Sequence, residues 1–388
     1  MAERVDVIVV GAGPAGSTAA YRLAERGAKV VILDRQRFPR DKPCGGGVTL
    51  RGASVLPFAI DPVVERVVTR MDVRMGYGGP VCHVDGEGPM VYMTQRKRLD
   101  MFLAEKAVSV GADFRDGVRV RDIALRPDGV EVRTDTGVIA AQAMVGADGC
   151  NGVSAKALGV SEHSYAVAME GNLPRGSAGY DDTRWEDAAL LEFDVVPGGY
   201  GWIFPKGDHV NVGVGGYLDE GPRMRDHLRR ICEVHGITID DLEHLRGHRL
   251  PIRRSGTPVA THRMVLAGDA AGLVDPFSGD GMYEAFTSSR IAARTIGEVL
   301  DGTAADCSAY PGRLAQALGP HVASAWAAKY VIEKAPWLMF GLLRTPQVRG
   351  IVGRRLRAEP REHTSERGLR ISAAITRASR RGLGPSAA

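Results

Sequence analysis

Cysteine is scarce in this chain, and long apolar runs are absent from it. The five cysteines are odd in number and form no C-x-x-C pair, which argues against a disulfide framework or a zinc site and favours a reducing cytoplasm. No apolar run reaches the roughly 18 residues that a membrane-spanning helix needs. The N-terminus enters a strand-like segment at Val5 without the charged lead and apolar core of a secretory leader.

The formal net charge is only +4, but the charge is unevenly distributed. From Arg344 to the C-terminus eleven arginines oppose three glutamates, so this region carries +8 and the preceding residues carry −4. The apolar stretch from Trp337 to Leu343 adjoins this basic tail. Such a pair fits an element resting on an anionic lipid surface, or equally a C-terminal helix packed on the core with a solvated basic face. Because no recognised nucleic-acid module accompanies the arginines, we expect no nucleic-acid partner.

The N-terminal segment VDVIVVGAGPAGSTAAYRLAERGAKVVILDR has the pattern of a dinucleotide-binding β-α-β unit. An apolar strand leads into Gly11, which allows a tight turn, and Gly13, which lets a pyrophosphate approach the backbone. Gly16 allows the following helix to pack closely on the strand. A second strand ends at Asp34, whose carboxylate suits a ribose hydroxyl. The phosphates would lie at the N-terminus of the helix, where free N–H groups favour an anion.

Two further glycine-aspartate segments follow predicted strands later in the chain. Asp148 and Gly149 come after the strand Ile139 to Val145, and Gly268-Asp269 follows the strand Met264 to Ala267. A loop containing Pro276 and Gly279-Asp280-Gly281 then leads into a long helix. In this order the three segments resemble the FAD-binding signature of the p-hydroxybenzoate hydroxylase superfamily. The resemblance implies that Asp269 binds the ribityl or ribose part of FAD and that the Pro276–Met282 loop lies along the isoalloxazine ring. The helix beginning near Gly281 would stabilise negative charge on the reduced flavin.

Finer motifs resemble the geranylgeranyl reductase family within that superfamily. RKRLD matches the family's helix start, in which Arg96 reaches toward FAD, and PRDKPCGGGVT matches its cysteine-glycine loop beside the flavin face. YGWIFP followed by GVG matches its substrate-lining motif. Two positions differ from the family's usual pattern: Asp34 replaces a glutamate, and Gly279-Asp280-Gly281-Met282 replaces a segment with a glutamate and a branched residue. The residues assigned to FAD are Gly11, Gly13, Pro14, Ala15, Gly16, Asp34, Arg35, Cys44, Gly45, Gly46, Arg96, Val120, Asp148, Gly149, Gly268, Asp269, Gly279, Asp280, Gly281 and Met282.

Substrate contacts are assigned to the aromatic strand. Tyr200, Trp202 and Phe204 alternate with other residues, so on a strand all three face the same side. The family's activity implies that NAD(P)H or a reduced carrier protein reduces FAD, and that flavin N5 then gives a hydride to an isoprenoid double bond. A proton must reach the other carbon, and Cys44 is the predicted donor, with a role as a small buried filler as the alternative. His83, His209 and Tyr283 are further candidate donors.

The predicted fold is α/β, with a Rossmann-type FAD-binding domain interleaved with a mostly antiparallel substrate domain. The FAD-binding domain is assigned to residues 1–70, 96–164 and 258–300, and the substrate domain to residues 71–95 and 165–257. Residues 301–388 are predicted to form C-terminal helices and a basic tail.

The predicted function is reduction of an isoprenoid or another hydrophobic small molecule. The substrate is left open among prenyl diphosphates, polyprenyl quinones, lipid ethers and a secondary metabolite with an alkene. One alternative is an aromatic hydroxylase of the same superfamily, which would consume oxygen. Two others are a flavin halogenase, whose W-x-W-x-I-P motif YGWIFP matches only in part, and a flavoprotein without catalytic activity. The predicted location is the cytoplasm, either free or peripheral to the membrane.

Overall fold

The computed structural model describes residues 3–85, 88–160 and 164–357. The strands, in chain order, are β1 (Glu3–Val10), β2 (Val30–Leu33), β3 (Gly47–Thr49), β4 (Val64–Val68), β5 (Arg70–Met75), β6 (Val81–Asp85), β7 (Val91–Thr94), β8 (Asp113–Arg115), β9 (Val120–Arg126), β10 (Gly129–Thr134), β11 (Val138–Gly146), β12 (Ser164–Pro174), β13 (Ala188–Phe193), β14 (Tyr200–Pro205), β15 (His209–Tyr217), β16 (Glu243–Ile252) and β17 (Met264–Leu266). The α-helices are α1 (Pro14–Ala24), α2 (Leu50–Ala53), α3 (Arg96–Ser109), α4 (Ser154–Ala157), α5 (Met224–Val234), α6 (Met282–Leu300), α7 (Tyr310–Lys334), α8 (Pro336–Leu343) and α9 (Pro346–Arg357).

The first sheet has the order β8-β2-β1-β11-β10-β9, with β17 paired to β11. The strands β8, β2, β1, β11 and β17 run parallel to their neighbours, whereas β10 and β9 form an antiparallel extension. The strand interiors are continuously apolar, and Val7, Ile8 and Val9 are fully buried. Such uninterrupted runs are typical of a parallel sheet that is covered on its faces.

Helices α1 and α6 pack against this sheet through small residues. The buried residues of α1 include Gly16, Ala19 and Ala20, and those of α6 include Ala292 and Ala293. A Cβ atom on Gly16 would overlap the carbonyl oxygen of Gly11. Gly16 therefore permits close packing of α1 on the turn that follows β1, as the sequence predicted.

The second sheet has the order β16-β12-β15-β14-β13-β5-β6 and is antiparallel except for the β13–β5 pair. A third, small sheet has the order β3-β7-β4. Its strand β3 follows the first β-α-β unit, and β7 directly precedes α3. The two larger sheets are thus linked by chain that crosses between them several times, which confirms the predicted fold class.

Several predicted elements differ in detail from those observed. The sequence from Pro222 to Val234 predicts one helix, but the structure forms a 3₁₀ turn over Leu218–Arg223 and becomes α-helical only at Met224. The strand β16 was not predicted individually, because its sequence EHLRGHRLPI carries polar residues on both faces. In the C-terminal region, helices extend to Arg357, and the remainder of the predicted basic tail, residues 358–388, lies outside the described residues.

Candidate cofactor and substrate site

The three glycine-rich segments meet at one edge of the first sheet. They follow β1, β11 and β17, which lie side by side and parallel, so their carboxyl ends share that edge. Gly11 has φ +98°, and a Cβ atom there would overlap the carbonyl oxygen of Ala147. Ala147 N donates to Val10 O at 2.7 Å, and Ala267 N donates to Gly146 O at 2.9 Å. The crevice outside the carboxyl ends of parallel strands is the usual ligand position in such folds.

A cavity of about 790 Å³ begins at this edge and extends to the second sheet. The predicted FAD contacts, apart from Gly16, line it, as do the three predicted substrate residues. Gly16 lies instead under the turn at Gly11, where it serves packing. The motif residues therefore lie around one cavity, and their roles in binding stay predictions.

Cations surround the start of α1. Gly13 precedes the helix, no side chain caps the helix N-terminus, and its first turn contains no acidic residue. Arg40 and Arg96 lie beside Gly13. Both guanidinium groups bind Asp100, which is fully buried: Arg96 donates to its two oxygens at 2.7 and 2.8 Å, and Arg40 lies 2.9 Å from Oδ2. Asp100 therefore fixes two cations next to free backbone N–H groups, which makes this end of the cavity suitable for an anion.

Asp34 and Asp148 both hold the backbone of the glycine-rich loops. Asp34 accepts hydrogen bonds from Ala12 N and Gln36 N, each at 2.9 Å. Asp148 Oδ2 accepts from Val153 N at 2.6 Å and from Ser154 N at 3.0 Å. The other oxygen, Asp148 Oδ1, is buried without a hydrogen-bond partner, and burial raises the pKa of this carboxyl. Each carboxylate thus shapes its loop and keeps capacity for a further donor.

Asp269 is paired with a lysine on the opposite wall. Lys42 Nζ donates to Asp269 Oδ2 at 2.9 Å. Burial opposes ionisation, but Lys42, Arg96 and His248 hold the pKa of Asp269 below its usual value. Burial of the His248 ring lowers its pKa to about 4, so this ring is neutral at physiological pH. The sequence predicted Asp269 but gave no indication of Lys42 or His248 as its neighbours.

The cysteine-glycine loop is fixed from below by a buried lysine. Lys206 Nζ donates to Gly45 O and, at 3.0 Å, to Thr94 O. Gly46 has φ +67°, and a Cβ atom there would overlap Thr94 O, so only glycine fits without strain. Burial lowers the pKa of Lys206 to about 8. The loop is therefore held rigidly, with Cys44 facing the cavity.

The aromatic strand forms the far wall. Tyr200, Trp202 and Phe204 all line the cavity, with neighbouring ring centroids 6.0 and 6.2 Å apart. Trp202 Nε1 donates to Asn211 Oδ1 at 2.7 Å, and the Tyr200 hydroxyl donates to Ser278 O. A Cβ atom on Gly45 would lie 2.9 Å from the Phe204 ring. The cysteine-glycine loop and the aromatic wall are thus in close contact, with side-chain positions set by hydrogen bonds.

A cluster of acidic side chains surrounds the start of α6. No sequence pattern predicts this cluster. Asp275 and Glu284 are buried there and Asp280 is half-buried, and His321 Nε2 lies 3.1 Å from both Asp275 Oδ2 and Glu284 Oε1. Burial raises the pKa of Asp280 to about 6 and that of Glu284 to about 7. These carboxyl groups offset part of the positive helix end that was expected to face the cofactor.

The other candidate proton donors lie away from the cavity wall. His83 is half exposed and binds Asp72, and His209 binds Asp208, each at 2.7 Å. The guanidinium carbon of Arg51 lies over the Tyr283 ring, 3.7 Å from the ring centroid. These contacts fix the three side chains in place, away from the cavity lining.

These residues fit FAD on grounds of shape and charge. A glycine turn, two fixed arginines, an unpartnered buried carboxyl oxygen and a bare glycine loop all belong to one cavity. A ligand with anionic, hydroxyl-rich and flat parts matches that set of surfaces. Tyr283, His83 and His209 take no part in it.

Comparison with known proteins agrees with this site. A family model described as a FAD binding domain matches residues 4–174. Menaquinone reductase of Mycolicibacterium smegmatis is 31% identical over 328 residues, which cover 79% of this chain and 80% of that protein. Geranylgeranyl diphosphate reductase of Synechocystis is 31% identical over 320 residues, 75% of this chain and 74% of that protein.

The fold also has a solved counterpart. The crystal structure of a geranylgeranyl bacteriochlorophyll reductase-like protein from Thermoplasma acidophilum superposes with a TM-score of 0.78 and 20% identity, covering 99% of this chain and 100% of that one. The cavity residues, the matched FAD domain and the two long alignments lead to one conclusion. The chain belongs to the geranylgeranyl reductase family and is a FAD-dependent oxidoreductase.

Proposed function

We propose that this protein saturates carbon-carbon double bonds of an isoprenoid chain. One observation carries the proposal: a single cavity is lined by the nucleotide-binding edge of the first sheet, by Cys44 and by the aromatic wall. An apolar chain can lie along the rings of Tyr200, Trp202 and Phe204 while its double bond meets the region beside the glycine loop. The names of the two relatives support a hydrophobic isoprenoid or quinone-type substrate.

The side chains of this chain have defined tasks in that reaction. Bound FAD supplies the hydride. Cys44, on the rigid glycine loop, holds the proton that the second alkene carbon needs, because its S–H bond carries a transferable proton. The aromatic wall orients the alkene and excludes water, and Lys206 keeps the loop in place from behind.

The electron donor is proposed to be NAD(P)H or a reduced carrier protein. Either would act in a separate half-reaction before the alkene is reduced. A carrier protein or a transiently bound nucleotide needs no second Rossmann unit, so both fit a chain with one such unit among the described residues.

Anaerobic turnover tests the reductase against the aromatic hydroxylase. Protein reduced with dithionite is incubated without oxygen with geranylgeranyl diphosphate, menaquinone and an unsaturated ether lipid, and products are analysed by mass spectrometry. We expect a gain of two hydrogens per reduced double bond. Cys44→Ala is expected to lower the rate about 100-fold. The matched control is Cys307→Ala, which alters a cysteine buried in the hydrophobic core around the first sheet. Product formation only with oxygen would favour the hydroxylase.

We further propose that α8 and α9 rest on an anionic membrane surface. Trp337, Leu338, Leu342 and Ile351 are exposed to between 43% and 60%, although they are large and apolar. The sequence from 335 to 357 contains five arginines and no acidic residue. Leu356 of α9 lines the main cavity, so this surface adjoins the path by which a lipid-soluble substrate would enter.

The five cysteines are all free, which suits the proposed cytoplasmic location. Among the described residues, no helix combines the length and apolarity required to cross a membrane.

Vesicle binding tests this surface. The full chain is expected to sediment with vesicles containing phosphatidylglycerol and to be released by salt. Replacing both Trp337 and Leu338 by alanine should weaken binding at least about tenfold, since each buried side chain contributes roughly 1.5–3 kcal/mol. Val108→Ser, which removes an exposed apolar residue from α3, is the control. Equal sedimentation of both variants, or self-association that depends on Trp337 without vesicles, would contradict the membrane surface.

A further inference from the structure

Glu170 is a largely buried acid on the cavity wall, and the reaction proposed above does not use it. It lies on β12 and lines the cavity together with Cys44. Its Oε1 atom accepts a hydrogen bond from Cys44 N at 2.7 Å. An acid in direct contact with the backbone of the predicted proton donor is placed where a proton supply is needed.

The sheet register places Glu170 between the cysteine loop and the aromatic wall. Glu170 pairs with Gly213 of β15, and residues paired in this way point to the same face of the sheet. A Cβ atom on Gly213 would overlap the indole ring of Trp202, so that ring lies directly above Gly213. The carboxyl group of Glu170 therefore adjoins the ring against which a double bond would rest.

The surroundings of Glu170 keep its proton within reach of physiological pH. Burial raises its pKa to about 6, while the Cys44 N–H, Lys206 and the Asn211 amide favour the ionised form and Asp41 opposes it. The neighbouring strand β16 contributes Arg246, paired in register with Glu170 and bonded to Asp41 at 3.1 Å, and His248. Because burial favours the neutral form while the Cys44 N–H and Lys206 favour the ionised form, the group can both release and regain a proton near neutral pH.

We propose that Glu170 is the proton source of the site and acts through Cys44. The Cys44 S–H bond breaks as a C–H bond forms at the alkene carbon that does not receive the hydride. The Glu170 carboxyl then gives its proton to the Cys44 thiolate, and water returns a proton to the Glu170 carboxylate. The substrate gains one hydride and one proton, and both side chains return to their starting state. This inference rests on the proposed reductase function.

The variant Glu170→Gln separates the effect of the carboxyl proton from the effect of the hydrogen bond to Cys44 N. Glutamine still accepts from Cys44 N but has no acidic proton. In the wild type the alkene-reduction rate should fall about fifty-fold between pH 6 and pH 8, because the protonated fraction of an acid with pKa about 6 falls from one half to about one hundredth. We expect Glu170→Gln to be at least tenfold slower at pH 6, with KM unchanged and no such fall.

A control and a second measurement keep the outcomes distinct. Glu65→Gln alters a buried carboxyl that binds Arg98 and Gln95 outside the cavity lining, and it should keep the wild-type pH profile. In resting protein the infrared absorption of protonated carboxyl groups should titrate near pH 6, and Glu170→Gln should remove one component of it while the component of Asp280, whose pKa is also about 6, persists. A wild-type pH profile in Glu170→Gln, or an unchanged infrared titration, would overturn the inference. Failure of the wild type to reduce any alkene would instead refute the proposed function, and the infrared titration would still report on Glu170.

Discussion

Replacing Gly13 by valine is expected to give a folded protein that no longer holds FAD. Gly13 has φ −75° and ψ −175°, an extended conformation that valine adopts readily. A Cβ atom there would meet only Arg40 and Arg96 nitrogens, at 3.6 and 3.9 Å, which is ordinary contact. The free energy of unfolding should therefore change by no more than about 1 kcal/mol. The added methyl groups would occupy the space through which a pyrophosphate approaches α1, so FAD affinity should fall at least about 100-fold.

The measurement combines flavin absorbance after reconstitution with urea unfolding of the FAD-free protein. Gly11→Ala is the contrasting variant: with φ +98° and a clash with Ala147 O, it should destabilise the fold itself. Gly27→Ala has φ +89° and open space around it, so it reports the cost of the backbone conformation alone. Retention of yellow colour by Gly13→Val would show that the dinucleotide does not pass this turn.

Replacing Asp100 by asparagine is expected to have the largest effect on stability. Asp100 is fully buried and neutralises two guanidinium groups, one of them with only 5% of its surface exposed. Removing its charge leaves buried Arg96 and the largely buried Arg40 without an anion. Breaking a buried ion pair from one side typically costs about 3 to 5 kcal/mol. Urea unfolding should show that loss in the FAD-free protein, and FAD should recover part of it because its phosphates can replace the missing charge.

The control is Asp301→Asn. Asp301 pairs with Arg26 at 2.8 Å, but both side chains are about half exposed. Exposed ion pairs contribute about 0 to 1 kcal/mol, so this variant should unfold almost as the wild type does. A similar loss in both variants would show that Asp100 owes its effect to something other than its two buried arginines.

The sequence revealed the parts of the site that are made of consecutive residues. The strand, turn, helix and terminal acid of the first unit lie within one segment, and the alternation of Tyr200, Trp202 and Phe204 defines one face of one strand. Both patterns follow from local geometry, and both groups line the cavity. The parallel pairing of β1 with β2 around α1 also follows from β-α-β logic.

The remaining polar residues of the site carry no such local signal. Glu170 lies outside the sequence motifs, whereas Lys42 lies within the cysteine-glycine motif and Lys206 directly follows the aromatic one. No motif names a partner for any of them, and each obtains its partner from a distant part of the chain. The acidic cluster near α6 depends on His321 of α7, which no motif connects to Asp275. Their importance arises from burial and from opposite charges brought together by folding, and neither property is visible in a linear pattern.

The edge at which β1, β11 and β17 end also has a consequence for biosynthesis. The ribosome delivers Val10 first, Gly146 much later and Leu266 later still, yet all three strand ends form one wall. A nascent chain that has completed β11 still lacks Asp269 and the start of α6. Because chains emerge from the N-terminus onward, we expect coenzyme capture to follow translation of most of the polypeptide. Flavin supply would therefore govern the maturation of finished chains and not the early steps of their folding.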